Sequence, residues 1–351
     1  MFNIVFFKYF KKIKNLPLIQ KNTNTRIAWL DQLKGFGIIL MVYGHNFPVL
    51  EEYIYSFHMP LFFIIAGIFH PNNITIQTIK KRVQQILLPY FLWSFILFGF
   101  WLFVGRKFGE SVHLDLSITK NFIGIFFAQG DIDYMNWGIP MWFLPTIFLT
   151  FILFGLILKI KNKLLQYFVL IVSIILGFLI AKFYKVNLFW SLDVALVSLF
   201  FYSFGFYAKD FIKSNTKKGV PFLLILGVIH LVTSLFLLQK IDMYRSTYGN
   251  EILFLTNSLV GFLFWGSLFK NFLSLKFLVF FGKNTIPILA LQARALSFIK
   301  LFLFFILGLS IFEFTEFEKV ILTLGQLIIL FPILIFINKY TPILNGKNKK
   351  I

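Results

Sequence analysis

The chain contains no cysteine, and only 14% of its 351 residues are charged. Without cysteine, disulfide bonds, thiolate metal ligands and thiol nucleophiles are all excluded. Histidine is scarce, with five residues, and 14 acidic residues stand against 34 basic ones. The Walker A phosphate loop, the GxSxG serine motif and the HExxH zinc motif are also missing from the sequence. The sequence therefore predicts no metal site and favours none of the enzyme classes that those motifs mark.

Apolar residues, in contrast, make up 58% of the chain, and its mean hydropathy is +0.82. Runs of about 20 apolar residues match the thickness of a bilayer, and lipid forces spanning segments to be helical because it offers no partner for the backbone. We therefore predict an all-α, polytopic membrane protein with about ten transmembrane helices, near residues 29–49, 53–70, 86–105, 141–158, 164–182, 188–208, 220–238, 252–269, 285–308 and 319–338.

Basic residues are divided unevenly between the predicted loops. With the N-terminus in the cytoplasm, 23 Lys and Arg residues fall in inner segments and seven in outer loops. This positive-inside bias predicts that both termini are cytoplasmic in a multi-pass protein of the cell inner (plasma) membrane. The net charge of +20 then reports topology, and no nucleic-acid partner is expected. We predict a basic N-terminal segment at 1–26 on the anionic inner leaflet, a membrane domain at 27–340 and a basic cytoplasmic tail at 341–351.

The first predicted span carries Asp31, Lys34 and His45 in the stretch WLDQLKGFGIILMVYGH. Lys34 and His45 are about three helical turns, or roughly 16 Å, apart and share a helix face, with Asp31 one turn before Lys34. His58 begins the second span, and a short turn brings it near His45. Ionisable groups in a span usually mark function, and histidine serves as a general base near neutral pH. The structural alternative is a pair of interfacial histidines that bind headgroups and backbone carbonyls.

Three basic residues, Lys80, Lys81 and Arg82, lie just inside the membrane before the third span. Charge-assisted hydrogen bonds from such a cluster suit the phosphates of a cytoplasmic nucleotide-bearing donor. An anchor that only sets the topology has the same composition, and the sequence leaves both interpretations open.

Two further residues are candidates for substrate binding. Trp142 lies in the stretch GIPMWFLP at the outer interface, where an aromatic belt is the simple alternative. Asp193 is an acid within or at the edge of the sixth span. The outer segment 106–140 contains a short apolar piece, which we predict to be re-entrant or interfacial because it is too short to cross.

These clusters, in this order, resemble the acyltransferase-3 family of integral membrane acyltransferases, most closely its fucose 4-O-acetylase-like members. The family pattern of a basic residue, ten residues and a histidine matches Lys34 and His45. The chain departs from the family where Gln292 replaces a common histidine, and where Arg82 is followed by Gln85 instead of a second arginine. The familial stretches are WLDQLKG, FHMPLFF at 57–63, LPYF before the third span, MWFL at 141–144 and GKNTIPIL at 282–289.

The resemblance implies transfer of an acyl group, usually acetyl, from acyl-CoA to a hydroxyl of a glycan or lipid-linked sugar of the cell envelope. His45 would act as general base or carry the acyl group transiently, with Lys34, Asp31 and His58 in the same catalytic set. The main alternative is a polysaccharide flippase, polymerase or other transporter, which shares the span count and the basic inner face. A membrane scaffold is a third possibility, but it leaves the ionisable residues of the first span unexplained.

Overall fold

The computed structural model describes residues 27–107, 114–184, 188–214, 219–237, 240–309 and 312–347, so the predicted segment 1–26 lies outside it. Across these ranges the structure is all-α, as the sequence predicts, with one isolated β-bridge between Asp242 and Thr247. The helices are α1 Ala28–Gly44, α2 Glu51–Tyr55, α3 His58–Ile68, α4 Ile76–Arg82, α5 Leu88–Phe103, α6 Ile118–Phe127, α7 Ile132–Met135, α8 Phe143–Leu158, α9 Lys163–Leu179, α10 Leu192–Tyr207, α11 Lys209–Lys213, α12 Val220–Leu237, α13 Glu251–Asn271, α14 Lys276–Gly282, α15 Thr285–Leu307 and α16 Glu316–Tyr340.

Seven helical segments among the described residues are long and apolar enough to cross a membrane. The protein is therefore an all-α polytopic membrane protein. The count of about ten spans and the cytoplasmic location of the termini stay predictions. The seven segments are Ile76–Lys107, Ile139–Leu158, Lys163–Tyr184, Phe189–Tyr207, Glu251–Asn271, Thr285–Ile306 and Glu316–Tyr340.

The first two predicted spans are shorter in the structure than the sequence suggests. Helix α1 ends at Gly44, and the chain turns at Phe47, whose φ is +52°. Helix α3 begins only at His58 and has 11 residues, which rise roughly 16 Å, about half the apolar core of a bilayer. Apolar composition alone does not show where a helix breaks. As a result, His45 and His58 both lie at helix ends.

Two pairs of glycines bring helix backbones into direct contact. A Cβ atom on Gly35 would lie 2.0 Å from the carbonyl oxygen of Leu278, and one on Gly282 would lie 1.9 Å from that of Asp31. Helices α1 and α14 therefore touch through their main chains. Gly67 and Gly205 do the same for α3 and α10. Small residues at such crossings are the usual means of close packing in membranes, where the hydrophobic effect does not drive helices together.

Helix α1 lies at the centre of the bundle, in contact with α3, α13, α14, α15 and α16. Asp31 and Gln32 are consequently buried in protein and do not face lipid. The outer surface of the bundle is apolar, with exposed side chains such as Ile175, Phe305 and Ile328 on the peripheral helices. This separation of polar interior from apolar exterior is what the cost of charge in lipid requires.

The segment that contains α6 and α7 folds around a buried asparagine. Asn121 of α6 donates from Nδ2 to the carbonyl oxygens of Ser117 and Asp133, and its Oδ1 accepts from the backbone N–H of Asn136. Helix α6 has 10 residues, too short to cross, in keeping with the predicted re-entrant or interfacial piece. Tyr90 of α5 donates to the carbonyl oxygen of Ile125 and holds this segment against the bundle.

Candidate active site

One face of α1 carries Lys34, Ile38, Met41 and His45, at successive steps of four, three and four residues. Side chains at this spacing lie in one stripe along a helix. Helix α1 is regular from Ala28 to Gly44, and His45 caps it in the αR conformation. The shared face of Lys34 and His45 is therefore a property of the fold, and the two residues stand at opposite ends of the stripe.

The middle of this stripe faces a small apolar cavity. Met41 and Met59 each stand next to a histidine: the carbonyl of Met41 binds His45, and Met59 follows His58 in the chain. None of Lys34, His45 and His58 lines the cavity itself; on α1, His45 lies one turn beyond Met41 and Lys34 one turn before Ile38. The cavity is lined by Ile38 and Met41 of α1, Met59 and Phe62 of α3, Phe143 and Leu144 of α8, and Thr285, Ile286 and Leu289 of α15.

His45 has a defined tautomer. Its Nδ1 lies 2.7 Å from the carbonyl oxygen of Met41, one turn back along α1. A carbonyl oxygen only accepts, so Nδ1 carries the proton and donates it, which leaves the lone pair of the neutral ring on Nε2. Among the described residues Nε2 has no hydrogen-bond partner. The ring therefore presents a basic nitrogen, as general-base catalysis requires.

His58 repeats this arrangement at the start of α3. Its Nδ1 donates to the carbonyl oxygen of Ile54 at 2.8 Å, and its side chain is buried. Tyr55, which the sequence analysis did not single out, connects the two histidine regions. Its ring lies 5.2 Å from that of His58, and a Cβ atom on Gly44, beside His45, would lie 2.7 Å from the same tyrosine. The structure thus brings His45 and His58 to one place through Tyr55.

The structure pairs Lys34 with Asp31 and does not bring it to His45. The Nζ atom of Lys34 lies 2.7 Å from Oδ1 of Asp31, and the Asp31 side chain is buried while that of Lys34 is 26% exposed. Three turns of helix separate this ion pair from His45, a distance of roughly 16 Å along the axis. Lys34 and Asp31 therefore define the far end of the stripe, and a direct contact with the imidazole is excluded by the helix geometry.

The model of the acyltransferase domain, acyltransferase-3, matches residues 27–340 of this chain. The chain belongs to the acyltransferase-3 family. The match runs from α1 to the end of α16 and includes every helix that lines the cavity. Comparisons with curated proteins and with solved structures found no match to the chain. The protein is therefore a membrane acyltransferase, while its place among the fucose 4-O-acetylase-like members stays a prediction.

The predicted phosphate-binding cluster of this acyltransferase lies at the end of α4. Lys80 and Lys81 are exposed, and Arg82 is half-buried with its guanidinium 5.4 Å from the centre of the Phe151 ring. A π-helical turn at Val83–Leu87 follows and leads into α5. None of the three basic residues lines the cavity, so their role in donor binding stays a prediction.

The two predicted substrate-binding residues of the acyltransferase have different surroundings. Trp142 is buried and directly precedes Phe143 and Leu144, which line the cavity, so it does not stand in a lipid-facing aromatic belt. Asp193 is buried, and its carboxylate already accepts from the backbone N–H of Leu188 and from the hydroxyl of Ser246. These bonds tie Leu188 and Ser246 to α10, and the contact of Asp193 with a substrate stays a prediction.

A polar cluster beside His45 was not predicted. Asn46 donates from Nδ2 to Oγ1 of Thr323 and to Oε1 of Gln326, both at 2.9 Å. Gln326 donates in turn to the carbonyl oxygen of Gln292 at 3.0 Å. The signal in the sequence was a threonine and a glutamine three residues apart in an otherwise apolar helix. Sequence reasoning noted Gln292 only as a departure from the family, whereas the structure buries it within this cluster.

Proposed function

We propose that this acyltransferase transfers an acyl group, in the simplest case acetyl, from acyl-CoA to a hydroxyl of a cell-envelope or surface-polysaccharide sugar. The observation that carries the proposal is the apolar cavity lined by Ile38 and Met41, the two middle residues of the stripe that runs from Lys34 to His45. The thioester end of an acyl-CoA is uncharged, whereas its phosphates are anionic. An apolar cavity suits the uncharged acyl end of such a donor, and the phosphates need basic residues elsewhere.

His45 acts as general base in the proposed reaction. The acceptor hydroxyl oxygen attacks the carbonyl carbon of the thioester and passes its proton to Nε2 of His45. The carbon–sulfur bond then breaks, the carbonyl forms again, and the sulfur of coenzyme A takes the proton from His45. The products are the sugar ester and free coenzyme A, and the imidazole returns to its neutral form. The hydrogen bond from Nδ1 to Met41 supports the transient imidazolium.

The phosphates of the donor are assigned in this proposal to Lys80, Lys81 and Arg82. Exposed lysines bind phosphate as point charges, and the excess of basic residues in the inner segments concentrates an anionic donor there. The acceptor approaches the opposite end of the cavity, where Trp142 precedes two lining residues. The family match supports an acyltransferase over the flippase, polymerase or other transporter that the sequence left open.

The decisive experiment measures acetyl transfer by purified protein in detergent. The donor is radiolabelled acetyl-CoA, and the acceptor is surface glycan from a strain that lacks the protein. We expect His45→Ala to lower the transfer rate by about 10²–10⁴-fold, the usual contribution of a general base. The control is His230→Ala, because His230 is buried and hydrogen-bonded to Asn257, and it does not line the cavity. That variant should keep the specific activity of the folded protein.

Three results would contradict this proposal. Transfer at the parental rate by His45→Ala protein would show that His45 is not the general base. Labelling of the parental protein itself by acetyl-CoA, with no acceptor present, would show an acyl-enzyme instead of direct transfer, since both routes use the same Nε2 atom. If deletion of the gene abolished glycan export and left glycan acetylation intact, that result would favour a transporter.

A further inference from the structure

Gln292 of α15 is a buried side chain without a partner. It has no exposed surface, and among the described residues neither Nε2 nor Oε1 of its amide has a hydrogen bond. Its backbone carbonyl, in contrast, accepts from Gln326. Buried polar atoms are almost always paired, because an unpaired one forfeits its hydrogen bonds to water. An amide left with both atoms unpaired therefore indicates a group that arrives from outside the chain.

The position of Gln292 identifies where that group lies. Thr285, Leu289 and Gln292 follow one another at steps of four and three residues, so they form a stripe along α15. The first two line the cavity, and Gln292 lies about one turn further along the same face of α15 without lining it. The hydrogen bonds from Gln326 to the Gln292 carbonyl and from Asn46 to Gln326 tie the residue to the neighbour of His45 in the chain.

A second unpaired atom supports a ligand at this point. Oδ1 of Asn46 is buried and has no partner in the part of the chain that the structure describes, although its Nδ2 makes two hydrogen bonds. Within one small region there are thus an unused donor on Gln292 and unused acceptors on Gln292 and Asn46. An acyl thioester that meets a hydroxyl group offers the complement: a carbonyl oxygen that accepts and a hydroxyl that donates.

We propose that Gln292 is a catalytic residue whose Nε2–H donates a hydrogen bond to the carbonyl oxygen of the acyl thioester. The inference rests on the proposed function. As the acceptor oxygen attacks the carbonyl carbon, negative charge develops on this carbonyl oxygen while His45 takes the hydroxyl proton. The amide stabilises that charge and releases it when the carbon–sulfur bond breaks. A fixed donor in a site closed to water is effective because it needs no reorientation during the reaction.

The test replaces Gln292 by methionine, which has a similar unbranched shape and no donor. With acetyl-CoA and glycan from the deletion strain, we expect Gln292→Met to lower kcat by about 10²–10³-fold, as for the loss of one such donor. The KM for acetyl-CoA should stay unchanged, because the bond strengthens only as charge develops. The melting temperature should stay equal or rise, because the variant removes an unpaired buried amide. Gln292→Asn, which keeps a donor, should retain part of the activity.

Gln166→Met is the matched control. Gln166 is also fully buried, but its amide is satisfied by the carbonyl of Ile157 and by Lys163. We expect this variant to lose thermal stability and keep kcat. Parental kcat in Gln292→Met, or a loss of kcat together with a fall in melting temperature like that of Gln166→Met, would overturn the role of Gln292. If Gln292→Met fails this test while His45→Ala is inactive in the same assay, only the role of Gln292 is refuted and the proposed function stands. If His45→Ala is active, the proposed function itself is refuted.

Discussion

At the scale of single residues, the ion pair between Lys34 and Asp31 lies at the end of the α1 stripe that is remote from His45. Asp31 is buried beneath the contact between α1 and α14, and its carboxylate lies 2.7 Å from Nζ of Lys34. Breaking a buried pair by removal of one partner is costly, because the other charge stays behind. A structural role and a catalytic role for Lys34 thus both predict that its loss is harmful.

A double substitution separates these two roles. Lys34→Met should lower both the melting temperature and acetyl transfer, whereas Lys34→Arg should keep much of both because the pair survives. Asp31→Asn combined with Lys34→Met removes both charges of this pair, so we expect the melting temperature to recover. Acetyl transfer should stay low if Lys34 also acts on the donor. Recovery of the transfer rate along with stability would show that the pair is needed only for folding.

At the scale of elements, the packing of α1 is set by backbone contact and not by side-chain size. Helix α14 has only seven residues, yet it fixes α1 because Gly35 and Gly282 let the two main chains meet. Since α1 carries both Lys34 and His45, a shift of this helix moves both ends of the stripe relative to α3 and α15. The geometry of the cavity therefore depends on two glycines that line no part of it.

Gly282→Ala tests this dependence. The added Cβ would lie 1.9 Å from the carbonyl oxygen of Asp31, and backbone cannot move aside as a flexible side chain does. We expect a loss of stability of about 1–3 kcal/mol, the usual cost of overpacking, together with reduced activity. Gly99→Ala is the control, because a Cβ at Gly99 meets nothing within 4 Å. The measurement is thermal unfolding in detergent, and equal melting temperatures for the two variants would contradict the backbone contact.

At the scale of the whole molecule, the distribution of charged residues predicts how the protein is oriented in the membrane. Basic residues predominate in the predicted inner segments, and acids in the outer loops. The cavity has its histidine end on the side predicted to be outer, where α1 reaches the turn before α2. A cytoplasmic donor and an acceptor at or beyond the outer surface would then enter from opposite ends.

Topology reporters test this orientation in intact cells. We expect reporters at both termini to give a cytoplasmic signal, and one inserted within 106–139 to give an outer signal, because inner segments hold 23 basic residues and outer loops seven. A reporter in the turn at Phe47 should also be outside, since that residue is 71% exposed at the end of α1. An external C-terminus with a cytoplasmic N-terminus would exclude an even number of spans, whereas two external termini would reverse the assignment of donor and acceptor ends.

Several properties followed from the sequence by itself. Apolar runs of membrane length allow only helices in lipid, so the all-α polytopic class was predictable without any tertiary contact. The shared face of Lys34 and His45 was predictable too, because it depends only on the local period of a helix. The family was recognisable for a similar reason, since its motifs are short stretches that survive as contiguous sequence.

Only the tertiary structure decided where the helices break and which polar groups are paired, because these features depend on residues that are far apart in the chain. The breaks at Phe47 and Phe57 lie inside apolar sequence, so composition gave spans that were too long. The unpaired amide of Gln292 exists only because α1, α15 and α16 close around it while other partners bind its neighbours. A sequence shows that a polar residue is present in an apolar helix, but only the packed fold shows whether its hydrogen bonds are satisfied.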